Sequence, residues 1–249
     1  STTKAMTAVC MGMLVDEGKV KWSDIVSDIL PEFKLADPYA TAEITIKDLF
    51  THNTGLGNAD MLWVLTYSRS EILHRMQFIP PAYSLRSSYI YQNLMYLVAG
   101  EVIKKVSGKS WDEFITERIF LPLGMNNTFA DYSKIPVTAS KTTPHFKDSD
   151  DKDSIKTINY LADDNIGPAG GVWSCADDIS KWLLFLSDSA KVNGKQLLKP
   201  ETFAGLFKPH TIIPVSQFYP TMQLIKPHWT TYGLGWFQHD YRGQMVQFH

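Results

Sequence analysis

A serine at position 1 stands three residues before Lys4 in the opening stretch STTKAM. If this stretch is helical, residues three apart share a face, and the lysine amine can reach the serine hydroxyl. A helix N-terminus favours negative charge, and burial lowers a lysine pKa toward a neutral amine that can act as a base. Ser1 and Lys4 are therefore a candidate nucleophile and base. The pattern is common by chance, and its second copy, Ser149 and Lys152 in a charged stretch, is interpreted as non-catalytic.

A second candidate group is the only Y-x-N of the chain, formed by Tyr91 and Asn93. A phenol beside a serine and a lysine can relay a proton, and an asparagine amide can hydrogen-bond an amide of the substrate. A buried aromatic residue and a helix cap fit the same two residues. The motif alone leaves both interpretations open.

The composition is that of a globular protein with a substantial core: 249 residues, 44% hydrophobic and 20% charged. We predict a single domain over residues 1–249. The net charge of −2, from 24 basic and 26 acidic residues, offers no basic surface for a nucleic-acid partner. Cys10 and Cys175 lie far apart without metal-type spacing, so we interpret both as buried free thiols.

Metal chemistry is not predicted either. Four histidines lack the carboxylate or cysteine pattern of a zinc site: His145, His210, His228 and His239. The expectation is a protein without metal or cofactor. The longest apolar runs, such as WLLFL, are far shorter than the ~20 residues of a membrane span.

Helical periodicity dominates most of the chain. The first predicted helix runs from Ser1 to Gly18 with one apolar stripe. Further helices are predicted in VKWSDIVSDILPEF, in ITIKDLFTH with Thr45 as cap, in SYIYQNLMYLVAGEVIKKVSG, in SWDEFITERIF, and in SCADDISKWLLFLS with Ser174 as cap. The polar stretch 131–165 has no clear period and is predicted to be a surface excursion.

Strand patterns occur only near the end, where YGLGWFQHD and QMVQFH flank a turn at Arg242 and Gly243. Two strands make a poor sheet alone, so we expect further strands outside this chain.

Five blocks in this order resemble the serine β-lactamase-like hydrolases: STTK, IKDLFTHNTGL, YQNLMYLVAGEVIKKVSGKSWDEFITERIFLPLGM, GPAGGVWSCADDISKWLLFL and YGLGW. This superfamily includes class C β-lactamases, D,D-carboxypeptidases, D-aminopeptidases and related esterases. The resemblance covers essentially the whole chain. It implies an α/β (α+β) fold with a helical lobe and an antiparallel sheet, and a chain truncated at both ends, with flanking sheet strands missing.

The resemblance also implies roles for individual residues. Ser1 is expected to be the acylated nucleophile and Lys4 its proton acceptor. Tyr91 is expected to act as a shared acid and base, and Asn93 to hold Lys4 and the substrate amide. His249 matches the first residue of the third motif, H-x-G.

Other parts of the cleft are expected from the same resemblance. Gly170 and Gly171 let backbone approach the substrate cleft, although simple turn formation fits them equally. The block containing His52 is expected to be a structural loop near the cleft. Because one oxyanion donor of the family follows the third motif, we expect little turnover from residues 1–249 alone.

The predicted function is hydrolysis of amide, β-lactam or ester bonds through a serine acyl-enzyme, with D-alanyl peptides or β-lactams favoured. The resemblance also implies a small-molecule or peptide substrate as the partner and a periplasmic or otherwise extracytoplasmic location, and it leaves the oligomeric state open. Two alternatives remain: a catalytically silent sensor or scaffold of the same fold, and an N-terminal-nucleophile hydrolase in which the Ser1 α-amine is the base. Nucleophiles of the latter kind begin a strand, whereas the residues after Ser1 have helical periodicity.

Overall fold

The computed structural model describes residues 1–65, 67–147, 154–160, 164–217 and 222–249, without the side chains of Met222 and Gln223. Ser149 and Lys152, the second S-x-x-K, lie outside the described residues.

Helices form most of the regular structure. In chain order they are α1 (Thr3–Asp16), α2 (Val26–Ile29), α3 (Pro38–Glu43), α4 (Met61–Val64), α5 (Arg69–Arg75), α6 (Asn93–Ser107), α7 (Trp111–Ile115), α8 (Leu121–Leu123), α9 (Gly167–Gly170), α10 (Ala176–Ser187), α11 (Pro200–Leu206) and α12 (Met222–Ile225). Short 3-10 turns cover Lys47–Phe50, Met76–Phe78, Tyr132–Lys134, Asp164–Ile166 and Val215–Gln217, and a π turn at Thr116–Phe120 joins α7 to α8.

Within the described residues, the strands form three antiparallel groups. They are β1 (His145–Lys147), β2 (Ile155–Thr157), β3 (Lys191–Val192), β4 (Lys195–Gln196), β5 (Thr211–Ile212), β6 (Thr230–Tyr232), β7 (Phe237–Tyr241) and β8 (Gln244–Phe248). β1 pairs with β2, β3 pairs with β4, and the last four form one sheet in the order β5-β6-β7-β8. The predicted combination of helices with an antiparallel sheet is confirmed.

The predicted C-terminal hairpin is also confirmed. β7 and β8 pair from Phe237 with Phe248 to Tyr241 with Gln244. The two turn residues between them, Arg242 and Gly243, have φ of 51° and 76°. Two positive φ values define the tight turn whose twist matches that of the flanking strands. The prediction of strands only at the end was wrong, because β1 to β6 are two or three residues long, too short to show a period.

Helix α1 is the centre of the molecule rather than a helix with one apolar stripe. Every residue from Thr3 to Leu14 is buried, and the helix contacts α6, α7, α9 and α11. A helix enclosed on all sides is apolar all around instead of along one face. It also begins at Thr3, two residues later than predicted, and ends at Asp16, before Gly18 with φ of +70°.

Two predicted helix caps were wrong. The segment after Thr45 is a 3-10 turn, and the Thr45 hydroxyl donates to Asp48 Oδ2 at 2.7 Å. The Ser174 hydroxyl bonds Thr128 Oγ1 at 2.7 Å, while Cys175 occupies the N-cap of α10 without a side-chain cap bond. In each case the side chain found a partner other than the helix N–H groups. Cys175 is exposed, contrary to the prediction, whereas Cys10 is buried as predicted.

Glycines allow the elements around α1 to approach closely. A Cβ on Gly100 of α6 would lie 2.3 Å from Pro168 Cγ in α9. A Cβ on Gly235, in the turn between β6 and β7, would lie 2.9 Å from the carbonyl oxygen of Lys4. These contacts bring α6, α9 and the sheet together at the N-terminal end of α1.

Candidate active site

The Lys4 amine is the centre of this site. The side chain is fully buried in the first turn of α1. Its Nζ lies 3.2 Å from Ser1 Oγ, 2.8 Å from Asn93 Oδ1 and 2.8 Å from the carbonyl oxygen of Ala169. Three segments distant in sequence, the start of α1, the start of α6 and α9, therefore meet at one nitrogen.

Burial lowers the pKa of Lys4 from 10.5 to about 7, while the charge of Asp60 acts in the opposite direction. A charged ammonium has three N–H donors, one for each of the three oxygens. A neutral amine keeps two N–H bonds for Asn93 and Ala169 and turns its lone pair toward the Ser1 hydroxyl. The same three contacts thus serve both protonation states, and the neutral state makes Lys4 an acceptor for the Ser1 proton.

Asp60 is a site residue that the sequence analysis missed. Its Oδ1 accepts from Asn93 Nδ2 at 3.0 Å and from Trp63 Nε1 at 3.0 Å. A carboxylate can only accept, so it fixes the amide nitrogen of Asn93 on its own side. The amide oxygen of Asn93 is then directed at Lys4. No motif marks Asp60, which lies in a polar stretch before α4.

Tyr91 lies against the other side of the amine. Lys4 Nζ is 4.8 Å from the centroid of the Tyr91 ring, and the Tyr91 hydroxyl is 3.0 Å from His249 Nε2. His249 Nδ1 lies 2.9 Å from the carbonyl oxygen of Gly235, which can only accept, so Nδ1 carries the proton. Nε2 is then the acceptor, and the Tyr91 hydroxyl donates to it. Burial, with a contribution from the Lys4 charge, lowers the pKa of His249 to about 3, so the ring is neutral.

The backbone at α9 is held by hydrogen bonds to two threonine side chains of α1, one of which is itself bonded by α7. Thr7 Oγ1 donates to the carbonyl oxygen of Pro168 at 2.7 Å and accepts from Trp111 Nε1 at 3.1 Å. Thr3 Oγ1 accepts from the N–H of Val172 at 3.2 Å. These bonds fix the chain on both sides of Ala169, whose carbonyl faces Lys4. No sequence pattern could predict this carbonyl, because every residue type has a backbone oxygen.

The two predicted glycines differ from each other. Gly170 is exposed, and a Cβ there would meet nothing within 4 Å. Gly171 is buried, and a Cβ there would lie 2.7 Å from Gly167 Cα. The close approach therefore occurs within the α9 turn itself.

The site residues thus divide into two groups. The structure brings together Ser1, Lys4, Tyr91, Asn93 and His249, and Gly170 and Gly171 follow Ala169 directly in the chain.

The described residues contain no group of three or more His, Cys, Asp or Glu side chains that could hold a metal ion. Within the same residues, no helix is long and apolar enough to cross a bilayer.

One known protein family matches the whole length of this chain. The family model for beta-lactamase matches residues 1–249, and the chain therefore belongs to the beta-lactamase family. The unguisins hydrolase ungD of Aspergillus violaceofuscus is 28% identical over 271 residues, a match that covers 100% of this chain and 47% of that protein. The chain spans about half the length of the curated relatives at the top of this comparison.

Solved structures share the fold. The octameric penicillin-binding protein homologue of Pyrococcus abyssi superposes with a TM-score of 0.81 at 20% identity, over 100% of this chain and 55% of that one. A D-stereospecific amidohydrolase from a Streptomyces species gives 0.79 at 21% identity, over 100% of this chain and 73% of that one. The resemblance in the sequence blocks and the expected fold class are both confirmed.

Proposed function

We propose that this chain is a single catalytic domain of a serine hydrolase that cleaves amide, β-lactam or ester bonds through an acyl-enzyme on Ser1. The observation that carries the proposal is the contact between Ser1 Oγ and the buried Lys4 amine, 3.2 Å apart, with the pKa of that amine lowered to about 7. An amine near this pKa is a competent base at neutral pH.

Catalysis then proceeds in two halves. The neutral amine of Lys4 takes the Ser1 proton as Oγ attacks the substrate carbonyl and forms a bond to it. The proton passes to the leaving group as the scissile bond breaks, and Tyr91, which lies against Lys4, serves as the second relay group. In the second half a water gives a proton to Lys4 as its oxygen bonds the acyl carbon, the bond from that carbon to Ser1 Oγ breaks, the proton returns to Oγ, and the acyl group leaves as a carboxylic acid. Asn93 holds Lys4 through its amide oxygen and, as the family resemblance implies, also binds the substrate amide.

D-alanyl peptides or β-lactams are the proposed substrate class. The support is the family membership together with the shared fold of a D-stereospecific amidohydrolase and a penicillin-binding protein homologue. An extracytoplasmic location belongs to the same proposal. The N-terminal-nucleophile alternative is disfavoured. It requires Ser1 to begin a strand, whereas the residues that follow Ser1 form α1.

A substrate panel on the natural full-length polypeptide tests the proposal. It compares D-alanyl peptides, a chromogenic β-lactam and short-chain esters for wild type, Ser1→Ala and Ser149→Ala. We expect Ser1→Ala to abolish turnover, and Ser149→Ala, the matched serine of the second S-x-x-K, to retain it. Full activity of Ser1→Ala would refute the proposal. A stable acyl-enzyme without turnover would instead identify a sensor.

A further inference from the structure

His52 contacts Tyr91 and the residues on both sides of it. The carbonyl oxygen of His52 accepts from the N–H of Ile90 at 2.9 Å. The ring Nδ1 of His52 accepts from the N–H of Gln92 at 3.0 Å. Between these two bonds, the His52 ring packs on the Tyr91 ring with centroids 4.3 Å apart. One residue therefore fixes the backbone before and after Tyr91 and covers one face of its ring.

The backbone of His52 is itself unusual. Its φ is +56°, in the left-handed region that is uncommon outside glycine, although asparagine, aspartate and histidine adopt it more often than other residues. This conformation directs the carbonyl oxygen and the ring Nδ1 to N–H groups of the same strand-like segment. The segment leads directly into α6, where Gln92 is the N-cap and Asn93 the first residue.

The hydrogen bond accepted by Nδ1 is what distinguishes His52 from an apolar ring of the same size. His52 is 1% exposed and is enclosed by the rings of Tyr89, Tyr96 and Tyr232 as well as Tyr91. Since Nδ1 accepts from a backbone N–H, the proton is on Nε2, which has no hydrogen-bond partner among the described residues. A buried unpaired N–H is unfavourable, and an apolar ring of the same size would avoid it. The feature that such a ring lacks is the Nδ1 acceptor.

We propose that His52 is a positioning residue for Tyr91, which it holds against Lys4 by binding the backbone on both sides and packing on the ring. This inference rests on the proposed function, because its effect is on the reaction at Ser1. His52 does not touch substrate in this account. It acts by keeping the phenol where the proton relay requires it.

Paired variants separate this role from simple space filling. His52→Phe keeps an aromatic ring but removes the acceptor. His52→Asn loses the ring but places an amide oxygen at the position of Nδ1, and asparagine tolerates positive φ. Positioning through the acceptor predicts that His52→Asn is acylated about tenfold faster than His52→Phe. Space filling predicts the reverse order, and that result would overturn the inference.

A double-mutant cycle with Tyr91→Phe is the decisive experiment. The measured quantity is the second-order rate constant for acylation of the natural full-length polypeptide by a chromogenic cephalosporin. In the wild-type background we expect His52→Phe to lower it about a hundredfold, because small displacements of a reacting group cost this much. In the Tyr91→Phe background the same change should cost less than about threefold, because coupled residues are not additive. Equal losses in both backgrounds would contradict the inference.

Controls keep the outcome interpretable. His74→Phe is the matched control, since His74 is exposed and its Nδ1 contacts Gln77 Nε2 at 3.3 Å; it should leave the rate unchanged. If His52→Phe does not fold, His52→Ala removes the same acceptor and completes the cycle. Ser1→Ala separates the two proposals. If it is inactive while His52 and Tyr91 are additive, only the present inference fails, whereas an active Ser1→Ala removes the hydrolase proposal itself.

Discussion

Asn93 and Asp60 are joined by a hydrogen bond of 3.0 Å in which the amide nitrogen donates to the carboxylate. This bond decides which end of the amide faces Lys4, 2.8 Å away on the other side. The Asp60 carboxylate is thereby held near Lys4, with only the Asn93 amide between them. Its negative charge raises the pKa of Lys4, whereas burial lowers that pKa by a larger amount.

Replacing this carboxylate should move the pH dependence of acylation. If neutral Lys4 is the base, the rate rises as pH increases through about 7. Asp60→Asn removes the charge that raises the Lys4 pKa, so that pKa falls further and the rising limb shifts to lower pH. The measurement is the acylation rate constant across pH. Asp28→Asn, an exposed site on α2, is the control. A shift toward higher pH, or none, would contradict the assignment of Lys4.

The buried amine should also make folding stability depend on pH. The pKa of Lys4 is about 7 in the folded state and 10.5 as the ordinary value. Between these values the unfolded state holds a proton that the folded state lacks, so the stability of wild type rises with pH. Relative to Lys4→Met, wild type should gain about 1.4 kcal/mol for each pH unit in this window.

Urea unfolding of both proteins from about pH 6 to about pH 10 measures this difference. Lys105→Met, on the exposed side of α6, is the control and should run parallel to wild type. If the curve of Lys4→Met also runs parallel, the folded protein keeps Lys4 charged, and the proposed base is absent.

The histidines of the site should remain neutral while a surface histidine titrates. Burial lowers the pKa of His52 well below 6.5 and that of His249 to about 3. Asp240 raises the pKa of the exposed His228. Between about pH 5 and about pH 9, nitrogen NMR should therefore show only His228 of these three changing its charge. The expected tautomers are Nε2–H for His52 and Nδ1–H for His249. A midpoint near 6.5 for either would contradict the hydrogen-bond assignment.

A methyl group at Gly100 should disturb the candidate site through its contact with α9. The Cβ of alanine would lie 2.3 Å from Pro168 Cγ, next to the Ala169 carbonyl that accepts from Lys4. We expect Gly100→Ala to lower the free energy of unfolding by about 1–3 kcal/mol, through overpacking, and to slow acylation. In Gly205→Ala, on α11, the Cβ meets nothing within 4 Å, so this control should gain up to about 1 kcal/mol from helix propensity. Equal effects of the two changes on thermal unfolding would refute the role of this close approach.

Several long elements were predictable from the sequence because their patterns are local. The helices α1 and α6 and the hairpin of β7 and β8 each carry several periods or a specific turn signal. Strands of two or three residues carry no period, which is why β1 to β6 were missed. The caps at Thr45 and Ser174 failed for another reason, since each hydroxyl has a different partner, in the case of Ser174 46 residues away in sequence.

The candidate site was predictable only where residue type and spacing carry chemistry. Ser1 and Lys4 are one helical turn apart, and Tyr91 and Asn93 form a short motif. Asp60 contacts an amide 33 residues later in sequence, and Ala169 contributes a backbone carbonyl. Neither contact produces a motif that could be recognised in the sequence. The resemblance to a family supplied His249, whose bond to Tyr91 spans 158 residues.

Mapping a covalent adduct is the most direct test of Ser1 as the nucleophile. The natural full-length polypeptide is treated with a fluorophosphonate or a labelled penicillin, digested, and analysed by mass spectrometry. The account predicts one adduct on the peptide that contains Ser1, lost in Ser1→Ala and slowed by orders of magnitude in Lys4→Met. An adduct on another residue, or labelling that persists unchanged in Ser1→Ala, would contradict it.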